Sequence, residues 1–214
     1  MIPPRAVTPP VLNIANALTC LRLVLVPVFL VTLFVDHGQS VQWRLVAFAV
    51  FALAALTDRL DGELARRRGL VTAFGTVADP IADKALTGAA WVALSVLGEV
   101  PWWVTVVMLG REIAITLLRF AVLRRGIIPA SRGGKAKTLV QSLAIGLYLL
   151  PLPELIGADT LVAWVRGVLL AAALALTVVT GVDYVRRALR LRAVTAPPTA
   201  VTPNDPRPDA PRSP

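Results

Sequence analysis

The chain has 214 residues, 56% of them apolar, and a formal net charge of +9. The apolar residues come in long blocks rather than alternating with charge, which places the chain among membrane proteins and excludes an ordinary soluble domain. A single cysteine, Cys20, excludes an intrachain disulfide, and a single histidine, His37, excludes a histidine-based zinc site.

The elements follow in chain order. Residues 1–10 form a Pro-rich segment predicted to be disordered, and residues 11–35 read as a first helix with a kink expected at Pro27. That first apolar block has no small-residue cleavage site ahead of a soluble domain, so it reads as a retained span. His37 falls in the polar turn that follows and reads as a solvated loop residue. A second span at 43–57 runs into a polar stretch from Asp58 to Asp83, and a third span occupies 84–97. The fourth span, 102–123, is interrupted by Arg111, Glu112 and Arg119. A basic loop at 124–137 precedes a fifth span at 138–152 and a sixth at 161–182. Hydrocarbon about 30 Å thick needs roughly 20 mostly apolar residues per helical span, and several blocks meet that length. The expected architecture is an all-α bundle of six transmembrane helices within a membrane domain at 11–192, followed by a disordered Pro-rich tail at 193–214.

Charge orients these spans. Arg59, Arg66, Arg67, Arg68 and Lys84 cluster after the second span. Arg124, Arg125, Arg132, Lys135 and Lys137 lie between the fourth and fifth, and Arg186, Arg187, Arg190 and Arg192 follow the sixth. The intervening turns carry almost none, Arg44 excepted. The positive-inside rule then puts both termini and the basic loops in the cytoplasm of a multi-pass plasma (inner) membrane protein. In such a chain a basic balance points to anionic headgroups and phosphorylated substrates, and no nucleic-acid partner is expected.

Asp58 and Asp61 stand three residues apart, and Asp79 and Asp83 four apart, so on helices each pair shares a face. A hairpin of the second and third spans would bring the four carboxylates together. Such a group is costly at a membrane without a counter-ion. A donor set made only of oxygen favours Mg²⁺, Mn²⁺ or Ca²⁺ over zinc, and Mg²⁺ commonly combines a few carboxylates with substrate phosphates. Gly62 would let a ligand approach the helix closely, and the planar fork of Arg66, one turn on, suits a diphosphate.

Asp58, Asp61, Gly62, Ala65, Arg66, Gly75, Asp79 and Asp83 match the pattern D-x2-D-G-x2-A-R-x8-G-x3-D-x3-D without departure. In this the chain resembles the CDP-alcohol phosphatidyltransferase family, and the resemblance covers nearly all of it except the terminal tails. It implies attack of an acceptor hydroxyl on the β-phosphorus of a CDP-linked lipid, with CMP leaving. It further implies that Asp58, Asp61 and Asp79 bind metal (Mg²⁺ or Mn²⁺) and that Asp83 is the general base, with a possible second role as a metal ligand. Gly62, Arg66 and Thr72 fall where the family binds the CDP moiety, and Asp58 and Asn16 are counted with them as CDP-lipid contacts. No organic cofactor is required, and the family suggests a homodimer set among membrane lipids.

Three further segments bear on the acceptor. Asn13, Asn16, Thr19 and Arg22 recur every third residue along the first helix. Gly110-Arg111-Glu112 with Arg119 marks the fourth span, and Gly134-Lys135-Ala-Lys137-Thr138 opens the fifth. Each also has a plainer reading: interhelical hydrogen bonding, a structural ion pair, and positive-inside lysines. Together, Arg111, Arg119, Lys135 and Lys137 make the basic group a phosphorylated acceptor requires. The segments are similar to those of family members whose acceptor is glycerol 3-phosphate, and Ile81-Ala82-Asp83-Lys84 resembles their actinobacterial branch. The expected reaction joins CDP-diacylglycerol and sn-glycerol 3-phosphate to give phosphatidylglycerophosphate and CMP. The alternatives are another acceptor in the same family (inositol phosphate, or phosphatidylglycerol giving cardiolipin) and, from a different class, a divalent-cation transporter.

Overall fold

The structure is a computed structural model that describes residues 14–68, 73–122 and 132–194; within these, the side chains at 14–15, 58–68, 73–80, 83, 119–122, 132–133, 135 and 190–194 are outside the described set. Every regular element among the described residues is helical: α1 (Ile14–Phe34), α2 (Val41–Arg68), α3 (Ala73–Val96), α4 (Trp102–Val122), α5 (Arg132–Leu149), α6 (Leu152–Ile156) and α7 (Asp159–Val194), with a short 3-10 turn at Val35–Gly38. The all-α expectation holds. The six long helices overlap the six segments expected from sequence, and the turn expected after the fifth holds the one-turn helix α6.

The largest difference from the sequence reading lies at the polar stretch. α2 does not stop near residue 57 but continues to Arg68, and α3 starts at Ala73 rather than at 84. Asp58, Asp61, Asp79 and Asp83 therefore all stand on helix. The reason is local: the extension of α2 is rich in Leu, Ala, Arg and Glu, which are good helix formers whatever their polarity. α1 runs through Pro27 without interruption.

Consecutive long helices alternate in direction, so one end of the bundle gathers the short connections. The turn after α1 carries Asp36, His37 and Gly38 at φ of 52°, 51° and 74°. Glycine suits position 38 on two counts. Its φ is left-handed, and a Cβ on it would stand 2.9 Å from Leu97 in the turn between α3 and α4. His37 is exposed at this tip. The core between the helices is apolar, with Phe29, Phe51, Trp91, Leu94, Met108 and Ile145 buried, and the Phe29 and Phe51 rings meet at 5.9 Å between centroids.

The exterior is apolar as well. Val31, Val106, Leu117, Leu161 and Val168 are all more than 60% exposed, while Thr19, Arg22, Arg44, Thr105, Lys137, Gln141 and Thr177 are buried. A soluble protein distributes these types the other way, and a face this apolar needs a nonaqueous neighbour. Two helices, Asn16–Gly38 and Asp159–Leu189, are long and apolar enough to cross a membrane by themselves. Four of the five tryptophans, Trp43, Trp102, Trp103 and Trp164, are exposed within about two turns of the short-connection end.

Glu99 ties this tryptophan end together. Arg44 Nη1 donates to Glu99 Oε1 at 2.7 Å and Arg166 Nη1 to Oε2 at 3.4 Å. The same arginines satisfy the last carbonyls of α5: Arg44 donates to Tyr148 and Leu149, and Arg166 to Leu147 and Leu150. A helix C-terminus leaves four carbonyls unpaired and carries partial negative charge, so two guanidinium groups fit it well. Arg44, the exception to the charge asymmetry in sequence, is thus occupied by the α5 terminus. Glu99→Gln is expected to cost about 2 kcal/mol of stability through the lost charge-assisted bonds, read as a lower melting temperature in detergent. Turnover should be unchanged, because Asp58 lies about 26 Å along α2 from this end; a fall in turnover without a fall in melting temperature would contradict this.

Candidate active site

Helix register places the signature residues at the opposite end. From Val41 to Asp58 on α2 is about 26 Å, and from Val96 back to Asp79 on α3 is also about 26 Å. From Phe34 back to Asn16 on α1 is about 27 Å. Asp58, Asp79 and Asn16 therefore lie at one depth on three neighbouring helices, with α1 packed on both α2 and α3. Asn16 is buried. Asp61, Gly62 and Arg66 follow along α2, and Asp83 sits one turn deeper on α3. The side chains of Asp58, Asp61, Arg66, Asp79 and Asp83 are outside the described set, and Thr72 lies wholly outside the described residues. Among the described residues no group of three or more His, Cys, Asp or Glu could hold a metal ion.

About two turns deeper, at 15–18 Å from the tryptophan end, the described side chains form a polar cluster. Glu112 on α4 accepts from three cations on three helices. Lys84 Nζ of α3 donates to Oε2 at 3.0 Å, Arg111 Nη1 of α4 donates to Oε1 at 2.9 Å, and Lys137 Nζ of α5 also donates to Oε1. Arg111 reaches further, donating through Nη2 to Thr180 Oγ1 of α7 at 3.0 Å. Gly181 makes room for it: a Cβ there would stand 3.2 Å from Arg111 Cγ. Beneath, Gln141 Nε2 donates to Thr177 Oγ1 at 2.9 Å. A cavity of about 220 Å³ opens between α3, α4 and α5, lined by Lys84, Trp91, Met108, Glu112, Lys137 and Gln141.

Of the four cations that the sequence singles out for an acceptor phosphate, the structure brings Arg111 and Lys137 together through Glu112. Lys137 is buried, with 6% of its side chain exposed. Arg119 lies near the end of α4 and Lys135 in the first turn of α5; their side chains are outside the described set. The ion pair of Arg111 with Glu112 is the plainer reading the sequence offered, and Lys84 is the partner it passed over. A carboxylate inside an apolar span was the available signal for Glu112, whereas Lys84 reads as one more basic loop residue until α3 is seen to carry it inward. Among the described side chains three cations share one carboxylate, which makes this described group net positive and suited to an anion.

An apolar exterior, buried polar pairs and a ring of exposed tryptophans define an all-helical membrane protein with a carboxylate-bearing end above a basic cluster. A family model for CDP-alcohol phosphatidyltransferases matches residues 12–179, and the chain belongs to that family. It is 57% identical over 178 residues to a probable phosphatidylglycerophosphate synthase of Mycobacterium tuberculosis, covering 83% of this chain and 82% of that protein. It is 33% identical over 174 residues to a CDP-diacylglycerol--glycerol-3-phosphate 3-phosphatidyltransferase of Rickettsia typhi, covering 80% and 94%. A protein of the same name from Bacillus subtilis is 36% identical over 148 residues, covering 64% of this chain and 77% of that protein.

Proposed function

We propose that the chain transfers the phosphatidyl group of CDP-diacylglycerol to sn-glycerol 3-phosphate, giving phosphatidylglycerophosphate and CMP. The observation that carries this reading is the unbroken eight-position signature on the adjoining ends of α2 and α3, in a chain whose named relatives are enzymes of this reaction.

The six long helices span the membrane, with the aspartate end and both termini in the cytoplasm. Two features support this orientation. The exposed tryptophans collect at one end, as at a membrane interface, and the arginine and lysine clusters collect at the other. At about 26 Å from the tryptophan end, Asp58 and Asp79 lie near the far edge of a hydrocarbon core about 30 Å thick. Acyl chains can then remain in the bilayer while the headgroup meets the carboxylates.

The family is generally divalent-metal dependent, and the signature offers an all-carboxylate donor set that suits Mg²⁺ or Mn²⁺. Asp58, Asp61 and Asp79 would hold the ion, with Asp83 able to touch a second one. When bound, it supplies neutralisation of the diphosphate and of the charge that develops on departing CMP. Gly62 leaves room for the nucleotide against α2. Arg66 takes the diphosphate through its fork, and Asn16 and Thr72 complete the CDP-lipid contacts. Arg119 and Lys135 grip the acceptor phosphate, with the net-positive group of Arg111 and Lys137 around Glu112 below them. Asp83 accepts the proton of the acceptor's 1-hydroxyl as that oxygen attacks the β-phosphorus. The membrane domain spans 11–192, and the working unit is a homodimer.

Purified chain supplied with CDP-diacylglycerol and Mg²⁺ is expected to release CMP with glycerol 3-phosphate and to fall silent on chelation by EDTA. Neither inositol phosphate nor phosphatidylglycerol should substitute. Robust release with inositol phosphate and none with glycerol 3-phosphate would overturn the acceptor assignment.

A further inference from the structure

Arg22 on α1 is fully buried, at 0% exposure. From Phe34 back to Arg22 is about 18 Å, which sets this cation well inside the bundle, short of the aspartate end. A guanidinium carries five N–H donors and a permanent charge, and taking it out of water is costly unless an acid replaces the lost solvation. Two acids inside the bundle are taken by other cations: Glu99 by Arg44 and Arg166, and Glu112 by Lys84, Arg111 and Lys137. The acid that answers Arg22 is to be sought on α2 and α3, the helices on which α1 chiefly packs.

Depth narrows the choice. α2 and α3 carry Asp58, Asp61, Glu63, Asp79 and Asp83. Asp58 and Asp79 stand at about 26 Å from the tryptophan end, and Asp61 and Glu63 further out. Asp83 stands at about 20 Å, within about 2 Å of the level of Arg22. Helix face agrees with depth. Positions 83, 86 and 87 share one face of α3, and Leu86 and Thr87 line one cavity with Arg22. Long side chains on a helix lean toward its N-terminus, and the N-terminus of α1 lies at the aspartate end.

We propose that Arg22 is a positioning residue whose planar fork holds the Asp83 carboxylate in the orientation that takes the proton of the acceptor hydroxyl; this rests on the assignment of Asp83 as base made above. Arg22 itself does not touch the substrates. A carboxylate offers about four lone-pair sites, and a bidentate guanidinium uses two of them. The others stay open to the hydroxyl while rotation of the carboxylate is arrested. Lysine would bring the charge without the fork. A misplacement of about 1 Å at a reacting group costs about 100-fold in rate, so the fork matters more to turnover than to folding.

The test separates orientation from charge. Arg22→Lys is expected to lower kcat for CMP release with glycerol 3-phosphate by about 100-fold. KM for both substrates should stay within about threefold, and Tm in detergent should hardly move. Arg22→Met strands a buried carboxylate and should lower Tm by roughly 5 °C. Adding Asp83→Asn to it should restore most of that loss, and adding Asp58→Asn should restore none. If Arg22→Met yields no folded protein, the same comparison is read as recovery of folded chain. Val24→Ala, on the exposed face of α1, should move neither kcat nor Tm. Unaltered kcat in Arg22→Lys overturns the orienting role. Recovery with Asp58→Asn in place of Asp83→Asn, or with neither, overturns the pairing. No CMP release by the unaltered chain is a different result: it overturns the reaction assigned above and the orienting role with it, while the unfolding comparison still decides the pairing.

Discussion

Asp83→Asn should abolish turnover while leaving CDP-diacylglycerol bound. The substitution keeps the shape of the side chain and removes its capacity to take a proton. A positioned general base contributes about 100- to 10,000-fold, so the release of CMP should fall by at least the lower figure. Calorimetric binding of the CDP-lipid in the presence of Mg²⁺ should persist, because Asp58, Asp61 and Asp79 retain their carboxylates. Register is compatible with the role: Asp83 stands one turn deeper on α3 than Asp79, nearer the depth of Lys84. Unchanged turnover removes the base assignment. Loss of lipid binding in parallel with turnover would instead make Asp83 chiefly a metal ligand.

Glu112→Gln is expected to produce the largest loss of stability among single changes in the described helices. Its carboxylate accepts from Lys84, Arg111 and Lys137, which arrive from α3, α4 and α5. Glutamine keeps the shape but leaves three cations facing one another, with Lys137 cut off from solvent. Removing one partner of a buried ion pair costs roughly 3–5 kcal/mol, which for a chain of this size corresponds to a fall in Tm on the order of 10 °C. The measurement is thermal unfolding in detergent. The double variant Glu112→Gln with Lys137→Met should recover much of the loss, since it removes the stranded charge as well. A double variant no more stable than the single one would show that repulsion around Glu112 is not the cause. A rise in KM for glycerol 3-phosphate in Glu112→Gln, beyond any loss of folded protein, would separate a role in placing Arg111 and Lys137 from a purely structural one.

Much of this protein was legible in its sequence, and for identifiable reasons. Lipid demands long apolar runs, and these announce themselves by composition: Asn16–Gly38 and Asp159–Leu189 are long enough to cross a membrane, and shorter apolar stretches stand at Val41–Thr57, Lys84–Val96 and Ala136–Leu149. The family was legible from Asp58, Asp61, Asp79 and Asp83, because its signature is a fixed spacing on continuous chain. That spacing survives whether the intervening segment is loop or, as it is here, helix on both sides. The helical extension itself was misread because polarity was taken to end the helix, whereas the propensity of Leu, Ala, Arg and Glu carries α2 on to Arg68.

Tertiary structure alone decided the pairings. Glu112 meets Lys84, Lys137 and, through Arg111, Thr180; Glu99 meets Arg44 and Arg166 across separations of 55 and 67 residues. The meeting of Arg22 with the face of α3 that carries Leu86 and Thr87 likewise depends on how α1 and α3 are turned together. In water an amphipathic stripe tells which way a helix faces. In a membrane both the core side and the lipid side are apolar, so the pattern carries little information about rotation about the helix axis. What sets that rotation is the short list of polar groups that must find each other away from water, and their partners become visible only when the helices are packed.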